Sequence, residues 1–275
     1  MAFGSKKLPK KETTFTTFSP IYLDQKDGKR TIRVVGDSLV VYREYWLENV
    51  TYKQGESVVK GKKPIIYGVL NDDGDLVGFE DENPYKNPYE LWLKTQDEAI
   101  QKRLYGKWRF ATNVYDRTPV IMHEGKVFYP NMKGDYILPP DVAALNLKPT
   151  PHNTVLILNG SSGKSDGKHM HQLMIDMNDV VMDDEGNSTT IDNVDIIMVT
   201  RVTEDNTKRS FVSGMNTKPL DINRSDLYDL ESAIKPFPHA AIQAIMDGED
   251  YDEVRLEYNL PKFPTKFVDD SDLPF

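Results

Sequence analysis

The chain has no cysteine and only five histidines among its 275 residues. The missing thiols exclude disulfides, thiolate zinc sites and cysteine nucleophiles together. No apolar run reaches membrane-spanning length, and the start, Met1-Ala2-Phe3-Gly4-Ser5-Lys6-Lys7, lacks the apolar stretch of a secretory signal. A cytoplasmic protein with no membrane contact is the expectation. No internal repeat is present. No carboxylate pair with the spacing of a nuclease or glycosidase stands out, and no Ser–His pairing does either. The reading is therefore a non-enzyme without a cofactor.

What is present is charge, and it is unevenly placed. The formal net charge is -9. Through residue 133 there are 22 basic and 18 acidic residues, and from 134 onward 12 basic and 25 acidic. Charges act locally, screened over about 10 Å at 0.1 M salt. A basic front half can hold phosphates while an acidic end stays off the same strand.

Residues 1–20 read as a basic arm carrying Lys6, Lys7, Lys10 and Lys11, either a tether or a phosphate-contacting arm. Short strand patterns follow. Thr31–Val35 and Leu39–Tyr45 flank Gly36-Asp37-Ser38 as a predicted hairpin, and Ile65–Leu70 and Leu76–Phe79 flank a second turn. Between 88 and 105 the period becomes helical, with Pro88 in the first turn and Gly106 as the stop. Strands resume at Lys107–Arg117, Val120–Tyr129, Thr154–Leu158, His169–Asp176, Val194–Val202 and Arg209–Val212. Asp141–Leu147, Asp226–Ile234 and His239–Met246 read as helices. Everything after Gly248 turns acidic and Pro-punctuated, predicting a linker over 248–275 after a core of 21–247. Many short strands with few helices predict a mainly β or α+β fold, of which a small oligonucleotide-binding (OB) barrel with insertions is the most economical form.

Lys107–Arg117 is the most informative strand. Alternation sends Trp108, Phe110, Thr112 and Val114 to the core and leaves Lys107, Arg109, Ala111, Asn113, Tyr115 and Arg117 on the other face. That face combines cations with an aromatic ring, which is what unpaired DNA requires: cations track phosphates and flat rings stack bases. Arg201, Lys208 and Arg209 around the turn 204–207 are further phosphate candidates, and Phe128, Tyr129 and Tyr136 further stackers. A solvated strand explains the 107–117 face equally simply, and a plain solvated hairpin is the simpler reading of any one of these further residues.

The last seven residues, Asp269-Asp270-Ser271-Asp272-Leu273-Pro274-Phe275, place three carboxylates before a Leu-Pro-Phe end. Such a stretch cannot bury enough apolar surface to fold alone. An exposed terminal Phe gains nothing in water, so the segment reads as a docking peptide: a partner would supply a pocket for the ring and basic groups for the acids.

This end resembles those of bacterial and tailed-phage single-stranded DNA-binding proteins, in which a few acids precede an apolar-Pro-Phe or a terminal Phe. The run from Tyr105 to Arg117, ending Asn113-Val114-Tyr115-Asp116-Arg117, is similar to a strand of the phage proteins. So are Asp192–Arg201 before a hairpin, and Lys218-Pro219-Leu220 leading to Asp229-Leu230-Glu231. The resemblance implies an OB-fold that coats single-stranded DNA in replication, recombination and repair, in the host cytoplasm, with possible self-association on DNA. The tip would recruit a polymerase, helicase or nuclease. One departure stands out: several such proteins carry a zinc-binding cysteine insertion, and if this chain has that insertion, packing among Trp46, Tyr67, Phe79 and Trp92 must hold it instead.

Three other patterns carry less. Asn159-Gly160-Ser161-Ser162-Gly163-Lys164-Ser165 imitates a phosphate-binding loop, but Leu158 stands where the first Gly belongs and a strand, not a helix, is predicted to follow. His169 and His171 give two imidazoles without a clear third ligand. Asp183-Asp184-Glu185-Gly186 lacks the spacing of a calcium loop and reads as a turn. The alternatives to DNA coating are a nucleotide-hydrolysing or metal-dependent nucleic-acid enzyme, and a protein-only adaptor barrel.

Overall fold

One long strand, β1 (Gly28–Gln54), organises the sheet by changing partners along its length. The structure is a computed structural model and describes residues 21–23, 26–161, 176, 178, 181–183, 185–202, 207–213, 220–262 and 264–266. On one edge, β1 pairs first with β9 (Ile196–Val202) and then with β2 (Ser57–Leu70); on the other it pairs with β4 (Lys107–Asp116). Beyond these lie β3 (Leu76–Val77) on β2, β8 (Thr154–Ser161) on β4, and β10 (Thr207–Ser213) on β9. All these pairings are antiparallel. A smaller set joins β5 (Pro119–His123), β6 (Lys126–Phe128) and β7 (Thr150–Pro151). The fold is mainly β, and among the described residues the large sheet does not close into a barrel.

The predicted hairpin at Gly36-Asp37-Ser38 is corrected. Residues 32–34 and 39–44 pair with the same strand, β4, so the chain continues in one direction. The ladder steps from Val34↔Val114 to Leu39↔Thr112, leaving Val35–Ser38 opposite Asn113 alone. Such a bulge bends a strand without ending it, and Gly36 takes the positive φ (73°) the bend needs. The turn-forming residues were real; they serve a bulge. The actual hairpin joins β1 to β2 through Gly55, also at positive φ.

The predicted helix over 88–105 is two helices, α1 (Pro88–Lys94) and α2 (Glu98–Leu104). Asn87 and Asp97 each accept a backbone N–H of the turn that follows, so a second N-cap interrupts what periodicity reads as continuous. The next helix is α3 (Pro140–Ala143). The helix predicted over 226–234 shrinks to α4 (Leu230–Ala233), whereas α5 (His239–Met246) matches its expectation. The linker predicted after Gly248 is corrected by α6 (Tyr251–Glu257): Asp250 caps it, and Tyr251 and Val254, three residues apart, are buried. Of the strand predicted over 169–176 only Asp176 is described, and its backbone is helical.

Three apolar clusters hold these elements. Phe110, Val114, Leu156, Leu158, Ile196 and Met198 fill one face of the sheet. Ala111, Val155 and Ile157, on the opposite face, pack under Tyr228, Leu230 and Ile234. The β1–β2 hairpin packs on α1, α5 and α6 through Tyr45, Tyr67, Tyr89, Ile242 and Val254. Tyr45 and Tyr67 stack at 4.1 Å and 13°, an arrangement worth about 0.5–1.5 kcal/mol beyond its buried area. Of the four aromatics expected to hold this region, Tyr67 is in the cluster, Phe79 is half-buried and Trp92 lies at its rim against Tyr89. Trp46 points elsewhere.

Candidate nucleic-acid interface

Alternation along β1 sends Arg43, Tyr45 and Leu47 to the packed side and Tyr42, Glu44 and Trp46 to the other. Across the ladder, Tyr42 faces Arg109 and Glu44 faces Lys107. The Arg109 Nε donates to Glu44 Oε1 at 2.6 Å, and the Trp46 indole N–H donates to that same oxygen at 2.8 Å. Glu44 is buried (6% exposed) while Trp46 is 42% exposed. One buried carboxylate thus fixes a flat ring and a flat cation at the surface, with the exposed Lys107 beside them.

Beside this strip lies a cleft of about 160 Å³ between the sheet and the chain that crosses it. Tyr42, Ala111, Ile157 and Asn159 form the floor; Ile234, Phe237, Leu260 and Pro264 belong to the cover. Glu44 lines the cleft as well, so strip and cleft share a residue. Burial, then the Glu44 charge, push the Tyr42 hydroxyl well above the ordinary tyrosine range, with Arg109 pulling the other way. Tyr42 is therefore protonated at neutral pH and can donate a hydrogen bond.

The expected outer face of β4 needs correction in its middle. Ala111 and Asn113 are buried, and Tyr115 is half-buried against the cluster under Tyr228. Asn113 is the residue that the bulge leaves unmatched. Its carboxamide donates to the Tyr228 carbonyl (2.9 Å) and accepts the Tyr228 N–H (3.0 Å), which pins the covering chain to the sheet. Parity was right about which side chains share a face; the cover comes from residues more than a hundred positions away. Trp108 lies inward as expected, half-buried against the core, with the Arg43 guanidinium 5.1 Å from its ring.

The far end of β4 is closed by ion pairs. Arg117 meets Asp195 at 3.1 Å, and the buried Arg33 holds the same carboxylate at 3.0 Å. The expected stacker Tyr129 is also engaged: its hydroxyl donates to Asp116 (2.7 Å) and its ring lies 4.3 Å below the Arg30 guanidinium. His152 Nδ1 sits 2.8 Å from the same Asp116 carboxylate. Phe128 is half-buried, and the Tyr136 hydroxyl donates to the Pro119 carbonyl. Arg201 is exposed on the β9–β10 hairpin, with Lys208 paired opposite it and Arg209 opposite Thr200.

The structure therefore gathers Lys107 and Arg109 but separates them from Tyr115 and Arg117, about 27 Å away along the strand from Arg109 to Arg117. Sequence reasoning missed Glu44 and Trp46. The signal was the parity of residues 40–47, which sends Tyr42, Glu44 and Trp46 to one face; the expected strand stopped one residue short of Trp46. Gly160 is paired with Phe110 in the ladder, so it is strand and not a phosphate loop. Asp183 forms a turn, its carboxylate accepting from Glu185 and Asn187 N–H groups. The arm 1–20, Lys164, His169, His171 and the tip 269–275 lie outside the described residues. Among the described residues no cluster of three or more His, Asp or Glu is arranged to hold a metal, and no helix is long and apolar enough to cross a membrane. No known protein-family model matches the chain, and no curated protein or solved structure matches it significantly.

Proposed function

We propose that the chain binds single-stranded DNA without sequence preference and presents its acidic tip, Asp269, Asp270, Asp272, Leu273, Pro274 and Phe275, to replication and repair proteins. The observation that carries this reading is the strip at Trp46, Arg109 and Lys107. An exposed ring supplies a stacking surface for any base, and two cations beside it follow the backbone. The oriented side chains pay part of the ordering cost before the strand arrives. Arg201 and the register position of Lys208 add positive charge on a separate hairpin. The long β1, sharing its edges among β2, β4 and β9, is consistent with an OB-like frame.

A fluorescence titration with oligo-dT at two salt concentrations tests the reading. Tryptophan quenching with affinity falling steeply as salt rises is the expected result, because each neutralised phosphate releases counterions. Absence of binding at low salt would overturn it. For the tip, deletion of 269–275 is expected to abolish capture of a replication protein while DNA affinity stays equal or tightens, since an acidic peptide competes with phosphates for the same cations. Markedly weaker DNA binding after the deletion would remove that role.

A further inference from the structure

The cleft beside the strip has a composition of its own. Three basic residues, Lys235, Arg255 and Lys262, line it against one acidic residue, Glu44. The Arg255 Nε is buried with no hydrogen-bond partner among the described residues, while its Nη1 donates to the Tyr251 hydroxyl at 3.1 Å. Beneath these charges Ala111 and Ile157 lie buried on paired strands, and the half-buried Tyr42 is part of what the floor presents to the cleft. At about 160 Å³ the space is roughly half the ~300 Å³ lower bound of common small-molecule sites. It has room for one nucleobase and not for two stacked.

We propose that this cleft is a binding site for a single nucleotide unit, the base lying against Tyr42 above the buried Ala111–Ile157 pair and its phosphate reaching Arg255 and Lys235. The assignment rests on reading the adjoining strip as a single-stranded DNA interface: Glu44 belongs to both, so a strand stacked on Trp46 delivers its neighbouring base to the cleft mouth. A polar group that can meet a base edge is present in the protonated Tyr42 hydroxyl on the floor side. A phosphate oxygen would supply the acceptor that Arg255 Nε lacks, which is costly to leave unmet in a buried position. The same chemistry is offered by a residue within a strand and by a free mononucleotide.

Ala233 lines the cleft from α4 and is half-buried, so Ala233→Phe fills the space from its outer wall. The full-length protein and this variant are compared by anisotropy on oligo-dT and on an abasic deoxyribose-phosphate chain of equal length. Thymidine monophosphate at millimolar concentration is tested by thermal shift. The expected result is about a thirtyfold loss on oligo-dT for the variant, the mid-range for one stacked base, with binding to the abasic chain unchanged. Arg255→Gln is expected to weaken both chains. A thermal shift with thymidine monophosphate in the wild type, absent in Ala233→Phe, assigns the site to free nucleotides as well; no shift restricts it to strands. If Ala233→Phe keeps the wild-type unfolding temperature and binds oligo-dT equally well, the site is overturned and the strand-binding reading survives. If the wild type binds no oligonucleotide yet takes thymidine monophosphate in an Ala233-dependent way, the cleft stands and strand binding falls.

Discussion

The two ends of β4 carry the same residue types and meet opposite fates. At one end, Arg109 shares Glu44 with an exposed tryptophan and stands beside a free-facing Lys107. At the other, Arg117 shares Asp195 with a buried arginine, and the nearby Tyr129 is spent on Asp116. Each arginine has a carboxylate partner, so pairing alone does not separate them. What separates them is whether the shared carboxylate orients a group toward solvent or locks one into the interior.

The largest expected effect is on stability at the closed end. Asp195→Asn removes the carboxylate that compensates Arg33, which is 2% exposed. Breaking a buried pair from one side costs about 3–5 kcal/mol, to be read as a fall in the urea midpoint with DNA affinity of the folded protein unchanged. An equal loss from Glu44→Ala would erase the contrast. At the open end, Trp46→Ala is expected to weaken oligo-dT binding by about 1–3 kcal/mol with little change in the urea midpoint, because the ring is 42% exposed. Glu44→Ala sharpens the comparison through its sign. Deleting a negative charge should favour DNA, yet freeing both Trp46 and Arg109 is expected to weaken binding a few-fold, whereas Glu44→Gln, which keeps an acceptor for the indole, should not. Tighter binding by Glu44→Ala would mean that orientation is irrelevant. The smallest effect is in salt dependence. Lys107→Ala should lower the slope of log K against log salt by about 0.7, one phosphate on a single strand, and Arg117→Ala should leave it unchanged.

Much of this contrast was legible before the fold was known, and the illegible part has physical reasons. Alternation along 107–117 sorted the side chains correctly, because strand geometry is local. Which of two faces stays open is not local. Residues 220–234 cover Ala111 and Asn113, and nothing in the run Lys107–Arg117 records that. The bulge at Val35–Ser38 was invisible for another reason: Gly-Asp-Ser suits a turn and a bulge alike, and only pairing with β4 decides between them. Helix α6 was hidden by its acidic surface, its two buried residues being too few to set a period. Trp46 was misassigned because an aromatic near other aromatics reads as core.

The covering chain has one more property. Asn113 grips it at Tyr228, Tyr228 pairs with Lys266, and the Asp229 N–H donates to the Thr265 carbonyl at 2.8 Å. Residues 228–266 are thus a loop whose two ends are stitched side by side. Within it, lengthening an exposed turn such as 247–249 costs closure free energy only with the logarithm of the added length, and it leaves the ladder's register untouched. The floor has no such freedom, since a slip of one residue along β4 would exchange its faces. Cover and floor can therefore change at different rates: the cover can vary in its exposed turns while its buried Leu230, Ile242 and Val254 are held, and the strip beside it is held to its present spacing throughout.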